Sequence, residues 1–214
     1  MPKHTLIITA LQTELAQSRL PSNLHVMYSG VGKINATIAT LKAIEQYKPA
    51  QVINFGTVGS IKPHLSGLIE IRRVIQRDVI AEPLSPRGRV PFCERPHEYF
   101  AQSGQHTCAS GDSFVTSKDP WLDDQGVDVV DMELYAIAVV AHMHGVPWTS
   151  FKYITDHTNE ESASDWNAKV NHGEDLFLEH LRSLRTCNSQ KDSYFLLTRS
   201  SSLNRLGQAR YYAD

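Results

Sequence analysis

Short apolar runs alternate along the chain with longer stretches whose apolar residues recur at helical spacing. An apolar run of about four to eight residues between turn residues is typical of a buried strand. On this basis we predict strands at residues 5–10, 26–29, 50–55, 68–75, 78–81, 107–110, 127–130 and 148–154.

The stretches with helical spacing predict three helices. The first covers residues 35–47, where four apolar side chains are spaced to share one face: Ile34, Ile38, Leu41 and Ile44. The second covers residues 132–144, and Gly145 is placed as its C-cap. Ser164 is placed to cap a final helix that ends at about residue 184.

The alternation of strands and helices predicts an α/β fold, a single doubly wound domain with a central mixed sheet flanked by helices. Ligands of such folds bind at the carboxyl ends of the strands. We expect this domain to span residues 1–184. Residues 185–214 are rich in Ser, Arg, Asn and Gln and show no apolar face, so a weakly ordered tail is predicted there.

The composition and charge of the chain limit the kinds of partner that it is expected to bind. The formal net charge is −2 and no long basic run occurs, so we expect neither nucleic acid nor a membrane surface as a partner. The first residues lack the pattern of a signal peptide, and the three cysteines form no CxxC pair. We therefore expect a cytoplasmic protein with reduced thiols.

Three acidic residues stand where strands meet helices: Glu14, Glu133 and Asp156. Each taken singly would usually be a helix cap or a partner of the helix dipole. Taken together at one sheet edge, they form a candidate set for acid–base chemistry. The ten histidines show no metal-ligand spacing such as HExxH, so we expect no catalytic metal and no cofactor.

The glycine-rich turns carry no specific signal by themselves. Residues 30–33 lack the glycine spacing of a Walker A loop, and they do not complete a dinucleotide-binding fingerprint. The glycines at residues 56–60 would let the backbone approach a ligand closely. Residues 110–113 are not the GxSxG nucleophile elbow.

Five motifs in order are more specific than any of them alone. They are SGVGKINA at 29–36, NFGTVG at 54–59, SGDSF at 110–114, VVDME at 129–133 and ITD at 154–156. In this order they resemble the nucleoside phosphorylase and nucleosidase superfamily. Within it, the sequence is most similar to the 5'-methylthioadenosine/S-adenosylhomocysteine nucleosidases, over roughly residues 5–184.

The resemblance implies a purine nucleosidase that releases adenine from a small-molecule nucleoside. It implies that Asp156 protonates the purine as it leaves and that Glu14 activates the attacking water. It also implies that Glu133 binds the ribose hydroxyls. The remaining implied substrate-binding residues are Met132 at the sugar, Phe114 and Val115 at the base, Thr57, Val58 and Gly59 beside ribose and water, Lys152, Thr155, and Trp166 over the base.

Some positions depart from the family's pattern. Lys152 stands where the family usually has Arg, and Thr57 and Thr155 stand where it usually has Ser. Tyr135 is bulkier than expected, and the proline-rich loop at residues 82–96 differs strongly. The resemblance implies a homodimer whose partner covers part of the pocket for the 5' group of the substrate.

Two alternatives stay open. A phosphorylase of the same superfamily would need an anion site, but Arg19 is the only arginine before Arg72. A non-catalytic nucleoside-binding or storage protein is a second alternative, which the presence of both an acid and a base disfavours. The sequence leaves the 5' group of the substrate open.

Overall fold

The computed structural model describes residues 5–156 and 173–183. Within them lie eight strands: β1 (Thr5–Thr9), β2 (His25–Tyr28), β3 (Gln51–Ser60), β4 (Leu68–Gln76), β5 (Glu98–Phe100), β6 (His106–Ser110), β7 (Val129–Asp131) and β8 (Trp148–Asp156). The helices are α1 (Lys33–Tyr47), α2 (Pro120–Asp124), α3 (Leu134–Met143) and α4 (173–183). A short 3₁₀ turn, Gln17–Arg19, follows β1.

Five of the strands close into a ring. β3 pairs in parallel with β8, and β8 pairs antiparallel with β4. β4, β6 and β7 are parallel neighbours, and β7 returns antiparallel to β3. β1 and β2 extend the sheet from β3, and β5 extends it from β4. The predicted mixed sheet is confirmed, whereas its closure through β8 was not predicted from the sequence.

Helices cover both faces of the strands β4, β6 and β7. One residue of each strand packs in the core that also holds α1 and α3: Val74, Cys108 and Val129. The next residue of each strand packs in a smaller core that also holds α2: Ile75, Ala109 and Val130. Successive residues of a strand point to opposite faces, so these strands are apolar on both sides. The predicted α/β class, with helices flanking the sheet, is confirmed.

The predicted apolar face of α1 is largely exposed. Ile34, Ile38 and Leu41 are exposed, and only Ile44 of the predicted four is buried. The other buried side chains of α1 are small: Ala36, Thr40 and Ala43. α1 packs against α3, whose buried face is also rich in alanine. Small side chains let the two helices approach closely. The spacing of the apolar residues therefore predicted the position of α1 correctly, but it did not predict which face of α1 is buried.

Several local predictions differ from the structure. Residues 78–81 form no strand, because the Asp78 carboxylate accepts hydrogen bonds from Lys33 Nζ (2.5 Å) and the Asp112 N–H (2.8 Å) within a bend. β5 and α2 are too short to leave an apolar pattern and were not predicted. α2 begins at Pro120, and the side chain of Asp119 caps it by accepting the Trp121 N–H.

The structure divides the chain after Glu174 into two compact units, of which the second is described over residues 175–183. The predicted final helix is described from residue 173, and its predicted cap, Ser164, lies outside the described residues. None of the helices described is both long and apolar enough to cross a membrane.

Candidate active site

A cavity of about 280 Å³ opens beside the middle of β3. On one edge of β3, β1 pairs with residues 51–54 and β7 pairs with residues 59–60. In the described chain no strand fills that edge between them, while β8 continues along the other edge. Most of the predicted site residues line the cavity: Glu14, Thr57, Val58, Gly59, Phe114, Val115, Met132, Glu133 and Asp156.

Glu14 occupies the gap along the edge of β3. Its Oε1 accepts hydrogen bonds from the backbone N–H (2.9 Å) and the hydroxyl (2.8 Å) of Thr57. Its Oε2 accepts hydrogen bonds from the Thr9 hydroxyl (3.1 Å) and the Leu11 N–H (3.0 Å). The side chain is buried. Four donors therefore hold a buried acceptor in one orientation at the cavity wall, which is the geometry of a fixed base.

Glu133 lies directly before α3 and is also buried. Its Oε1 accepts the N–H of Gly32 at 2.8 Å. Burial, followed by the negative charge of Asp131, raises the pKa of Glu133 to about 8. The protonated form of this carboxyl is therefore favoured in the folded protein at neutral pH.

Glu133→Gln should make the protein more resistant to unfolding at alkaline pH. Between the ordinary pKa of 4.5 and about 8, the folded state keeps a proton on Glu133 that the unfolded state releases, so stability falls as pH rises across this window. A glutamine side chain carries no titrating proton. We therefore expect the Tm of the Glu133→Gln protein at pH 9 to exceed that of the wild type by at least about 3 °C. The two Tm values should converge near pH 5. A variant that melts below the wild type at pH 9 would contradict the raised pKa.

Asp156 is the last residue of β8 and closes the cavity on the side of that strand. It is buried, and its Oδ1 accepts a hydrogen bond from the Thr155 hydroxyl at 3.0 Å. Thr155 Oγ1 also lies 3.3 Å from the Val58 carbonyl oxygen, toward which it can donate instead. Thr155 thus contacts Asp156 from behind the cavity wall, and its direct contact with a substrate stays a prediction.

Lys152 lies behind the wall as well, in a buried ion pair. Its Nζ is 2.7 Å from Asp131 Oδ2, and each side chain is only 1% exposed. Burial alone would lower the pKa of Lys152 and raise that of Asp131. Their mutual attraction prevails, so the pKa of Lys152 is raised and that of Asp131 is lowered. A Cβ at Gly56 would lie 3.4 Å from Lys152 Nζ and 3.5 Å from Glu14 Oε1, so both side chains flank this glycine.

Asp131 also lines the cavity, although it was not among the site residues predicted from the sequence. Its Oδ1 accepts the Ser110 hydroxyl at 2.5 Å, and its Oδ2 accepts the Leu134 N–H at 2.9 Å. It therefore joins the ends of β6 and β7 to the start of α3, next to Glu133. Its place inside the VVDME motif was the available signal, whereas the cavity residue Arg77 lay in no motif.

The turn at residues 30–33 is bound by carboxylates. The N–H of Gly32 donates to Glu133, and the N–H of Lys33 donates to Asp112 Oδ1 at 2.7 Å. Gly30 and Gly32 have φ angles of +77° and +96°, which favour glycine. The turn therefore holds Glu133 in place, and the amides of Gly32 and Lys33 are engaged by protein carboxylates.

Trp166, predicted to cover the base, lies outside the described residues. Over residues 5–156 and 173–183, no three His, Cys, Asp or Glu side chains are grouped so that they could hold a metal ion.

Comparison with known proteins gives consistent matches. The sequence pattern of the phosphorylase superfamily matches residues 14–184. A 5'-methylthioadenosine/S-adenosylhomocysteine nucleosidase of Shewanella oneidensis is 30% identical over 168 residues, which is 68% of this chain and 71% of the relative.

Solved structures show the same fold. A mutant of the Helicobacter pylori nucleosidase MTAN with 5'-methylthioadenosine in its active site matches with a TM-score of 0.77 and 20% identity, over 87% of this chain and 99% of that one. The futalosine hydrolase of Helicobacter pylori matches with a TM-score of 0.77 and 21% identity, over 86% and 97%.

The superfamily pattern spans most of the chain, and the Shewanella oneidensis relative is 30% identical over 68% of it. The resemblance inferred from the sequence is thereby confirmed: the chain belongs to the phosphorylase superfamily and, within it, to the family of the 5'-methylthioadenosine/S-adenosylhomocysteine nucleosidases.

Proposed function

We propose that the protein hydrolyses the N-glycosidic bond of an adenine nucleoside, such as 5'-methylthioadenosine or S-adenosylhomocysteine, and releases adenine. One observation carries the proposal. Glu14, Glu133 and Asp156 come from distant parts of the chain, yet all three line one cavity, where each is buried and accepts a hydrogen bond from the protein.

Departure of the base is the step assigned to Asp156. A purine anion is a poor leaving group, so a proton delivered to its N7 lowers the barrier as the bond between C1' and N9 breaks. The electron pair of that bond leaves with the base, and the sugar becomes cationic in character. Phe114 and Val115 line the same cavity and form the wall against which the base binds.

Attack of water is the step assigned to Glu14. The water oxygen bonds to C1' on the face opposite the base, and its proton passes to the Glu14 carboxylate. The four donors that surround Glu14 keep its oxygens fixed while this occurs. The products are adenine and the free sugar. Glu14 then releases the proton that it accepted, and Asp156 regains the proton that it gave up, by exchange with solvent.

Glu133 and Met132 bind the ribose in this proposal. A ribose hydroxyl donates to a carboxylate, so binding favours the ionised form of Glu133, which burial and the charge of Asp131 otherwise disfavour by raising its pKa. The negative charges of Glu133 and Glu14 also stabilise the developing positive charge on the sugar. The cavity is therefore better matched to the transition state than to the neutral nucleoside.

Phosphorolysis is the competing reaction within the superfamily, and it requires an anion site next to the sugar. The two turn amides of Gly32 and Lys33 donate to Glu133 and Asp112 instead. Arg19 is the only arginine before Arg72, and its Nη1 is 2.6 Å from Glu174 Oε2. These occupied donors favour water over phosphate as the nucleophile. A binding or storage protein without turnover is disfavoured by the joint presence of an acid and a base.

A panel of nucleosides separates these functions. The purified protein is incubated with methylthioadenosine, adenosylhomocysteine, deoxyadenosine and aminodeoxyfutalosine, with and without phosphate, and adenine release is measured. Hydrolysis predicts release that does not depend on phosphate. Release only with phosphate identifies a phosphorylase, and binding without release identifies a storage protein. The ranking of the four substrates identifies the 5' group.

We further propose a homodimer whose partner covers part of the 5' pocket. Exposed apolar side chains in the loop at residues 82–96 support it, because Leu84 is 69% and Phe92 is 95% exposed. Phe92 also has a φ of +55°, an unusual conformation for a bulky residue. An exposed apolar loop of this kind marks an interaction surface.

Phe92→Ser should therefore weaken the dimer. We expect the wild-type protein to sediment as a dimer. We expect the dissociation constant of the dimer to be at least about tenfold higher in the variant. Met143→Ser, at the exposed end of α3, is the matched control and should leave the dimer intact. A wild type that is monomeric and fully active at nanomolar concentration would refute the proposal.

We also propose that residues 1–184 carry the whole activity and that the protein works in the cytoplasm. A chain that ends at residue 184 should keep wild-type turnover, measured as adenine release at saturating substrate. Loss of folding or of turnover in that chain would show that residues 185–214 belong to the domain. Cys93 and Cys108 are free thiols, as is usual in a reducing compartment.

A further inference from the structure

Arg77 is a cavity residue to which the proposed reaction assigns no role. It follows β4 directly, and it is only 5% exposed. Its guanidinium donates three hydrogen bonds to the loop after β6: from Nη2 to the carbonyl oxygens of Gly111 (3.0 Å) and Ser113, and from Nη1 to the Ser113 hydroxyl (3.1 Å). The same loop continues directly into Phe114 and Val115, the proposed wall of the base site.

Gly111 is required by this contact. A Cβ at Gly111 would lie 2.9 Å from both Cγ and Cζ of Arg77, closer than non-bonded carbon atoms approach. The φ of Gly111 is not left-handed, so backbone freedom does not explain the glycine. The missing side chain makes room for the guanidinium to lie against the loop.

The backbone of Arg77 is also held by hydrogen bonds. Its N–H donates to the Ser110 carbonyl at 2.9 Å, and its carbonyl accepts Arg87 Nε at 2.8 Å. The guanidinium of Arg87 binds both carboxylate oxygens of Asp119, at 3.1 and 2.6 Å, and lies 4.4 Å from the Trp121 ring centroid. The loop at residues 82–96 therefore connects the Arg77 backbone, through Arg87, to the residue that caps α2. These contacts fix the position of the backbone that carries the Arg77 side chain.

We propose that Arg77 is the positioning residue of the base site: it fixes the loop that carries Phe114 and Val115 and so sets the affinity for adenine. This inference rests on the proposed function. A guanidinium satisfies several acceptors with a planar array of donors, whereas the ammonium of lysine is a single compact charge. Arg77→Lys should therefore retain only part of the effect, and Gly111→Ala should disturb the same contact without touching the charge.

Binding of product fragments tests the proposal, because adenine reports on the base site and 5-methylthioribose reports on the sugar site. Calorimetry is performed on the wild type, Arg77→Met, Arg77→Lys and Gly111→Ala. We expect adenine affinity to fall at least about tenfold in Arg77→Met and Gly111→Ala, and less in Arg77→Lys, while methylthioribose affinity changes less than about twofold. Arg72→Met, at an exposed arginine of β4, is the control and should bind both fragments as the wild type does.

The outcomes separate three explanations. Unchanged adenine affinity in the folded variants would overturn the role of Arg77. An equal loss of affinity for both fragments would also overturn it, since that is the result of general structural damage. If Arg77→Met does not fold, the same comparison for Arg77→Lys and Gly111→Ala decides. Failure of the proposed function itself would appear in the wild type, as no cleavage of any purine nucleoside and no binding of adenine.

Discussion

Asp156→Asn should reduce the rate of adenine release by at least roughly 10², while the affinity for a non-cleavable nucleoside analogue falls much less. Asn keeps the shape of the side chain and can still accept the Thr155 hydroxyl, but it has no proton to give to the base. The loss therefore falls on the transition state rather than on ground-state binding. Turnover and analogue affinity are measured on the folded variant at fixed pH.

Matched variants make this result specific. Asp124→Asn makes the same chemical change at an exposed residue of α2 and should leave turnover unchanged. Glu14→Gln should also abolish most turnover and spare binding, whereas Glu133→Gln should impair both, because Glu133 holds the ribose throughout. If all three site variants only lowered Tm and kept turnover, the carboxyls would be structural. Near-wild-type turnover in Asp156→Asn would end the assignment of Asp156 as the acid.

Lys152→Met should destabilise the folded protein by about 3–5 kcal/mol. The substitution removes the ammonium that is 2.7 Å from Asp131 and leaves a carboxylate buried without its counter-charge. Asp131 also accepts hydrogen bonds from Ser110 and Leu134, so its displacement would disturb β6, β7 and α3 together. Urea unfolding of the wild type and the variant measures the change in the free energy of unfolding.

The control for this prediction is an exposed ion pair. Lys118 Nζ is 4.0 Å from Asp123 and the lysine side chain is 83% exposed, so Lys118→Met should change stability by less than about 0.5 kcal/mol. Adding Asp131→Asn to Lys152→Met should recover part of the loss, because it removes the uncompensated charge. Equal effects of Lys152→Met and Lys118→Met would show that the buried pair contributes no more than a surface pair.

The sequence predicted most of the strands and the position of the candidate site. The strands β1, β3, β4 and β8 are rich in apolar residues because most of their side chains are buried, and buried strands leave the strongest pattern. Asp156 was found because it ends one of these strands, and Glu14 was found because it lies in the turn that follows another. The strand–helix layout predicted that they could meet at one sheet edge, and the family resemblance implied that both act at one site; the structure places both at the wall of one cavity.

Features that depend on contacts between distant residues were not predictable in this way. The closure of the sheet requires β8 to pair with both β3 and β4, which no local pattern shows. The buried face of α1 is set by its contact with α3, so apolar spacing selected Ile34 and Ile38, which are exposed. Arg77 appeared as an ordinary charged residue after a strand, because its acceptors lie more than thirty positions along the chain.

Incorporation of isotope from labelled water tests the proposed hydrolysis most directly. The protein is incubated with methylthioadenosine in phosphate-free buffer made with ¹⁸O-water, and the released sugar is analysed at early times by mass spectrometry. We predict that adenine and a sugar with one ¹⁸O atom at C1 form in equal amounts, and that Glu14→Gln suppresses both. Adenine release that requires phosphate and yields a sugar 1-phosphate without the label, or tight binding with no cleavage, would contradict the account.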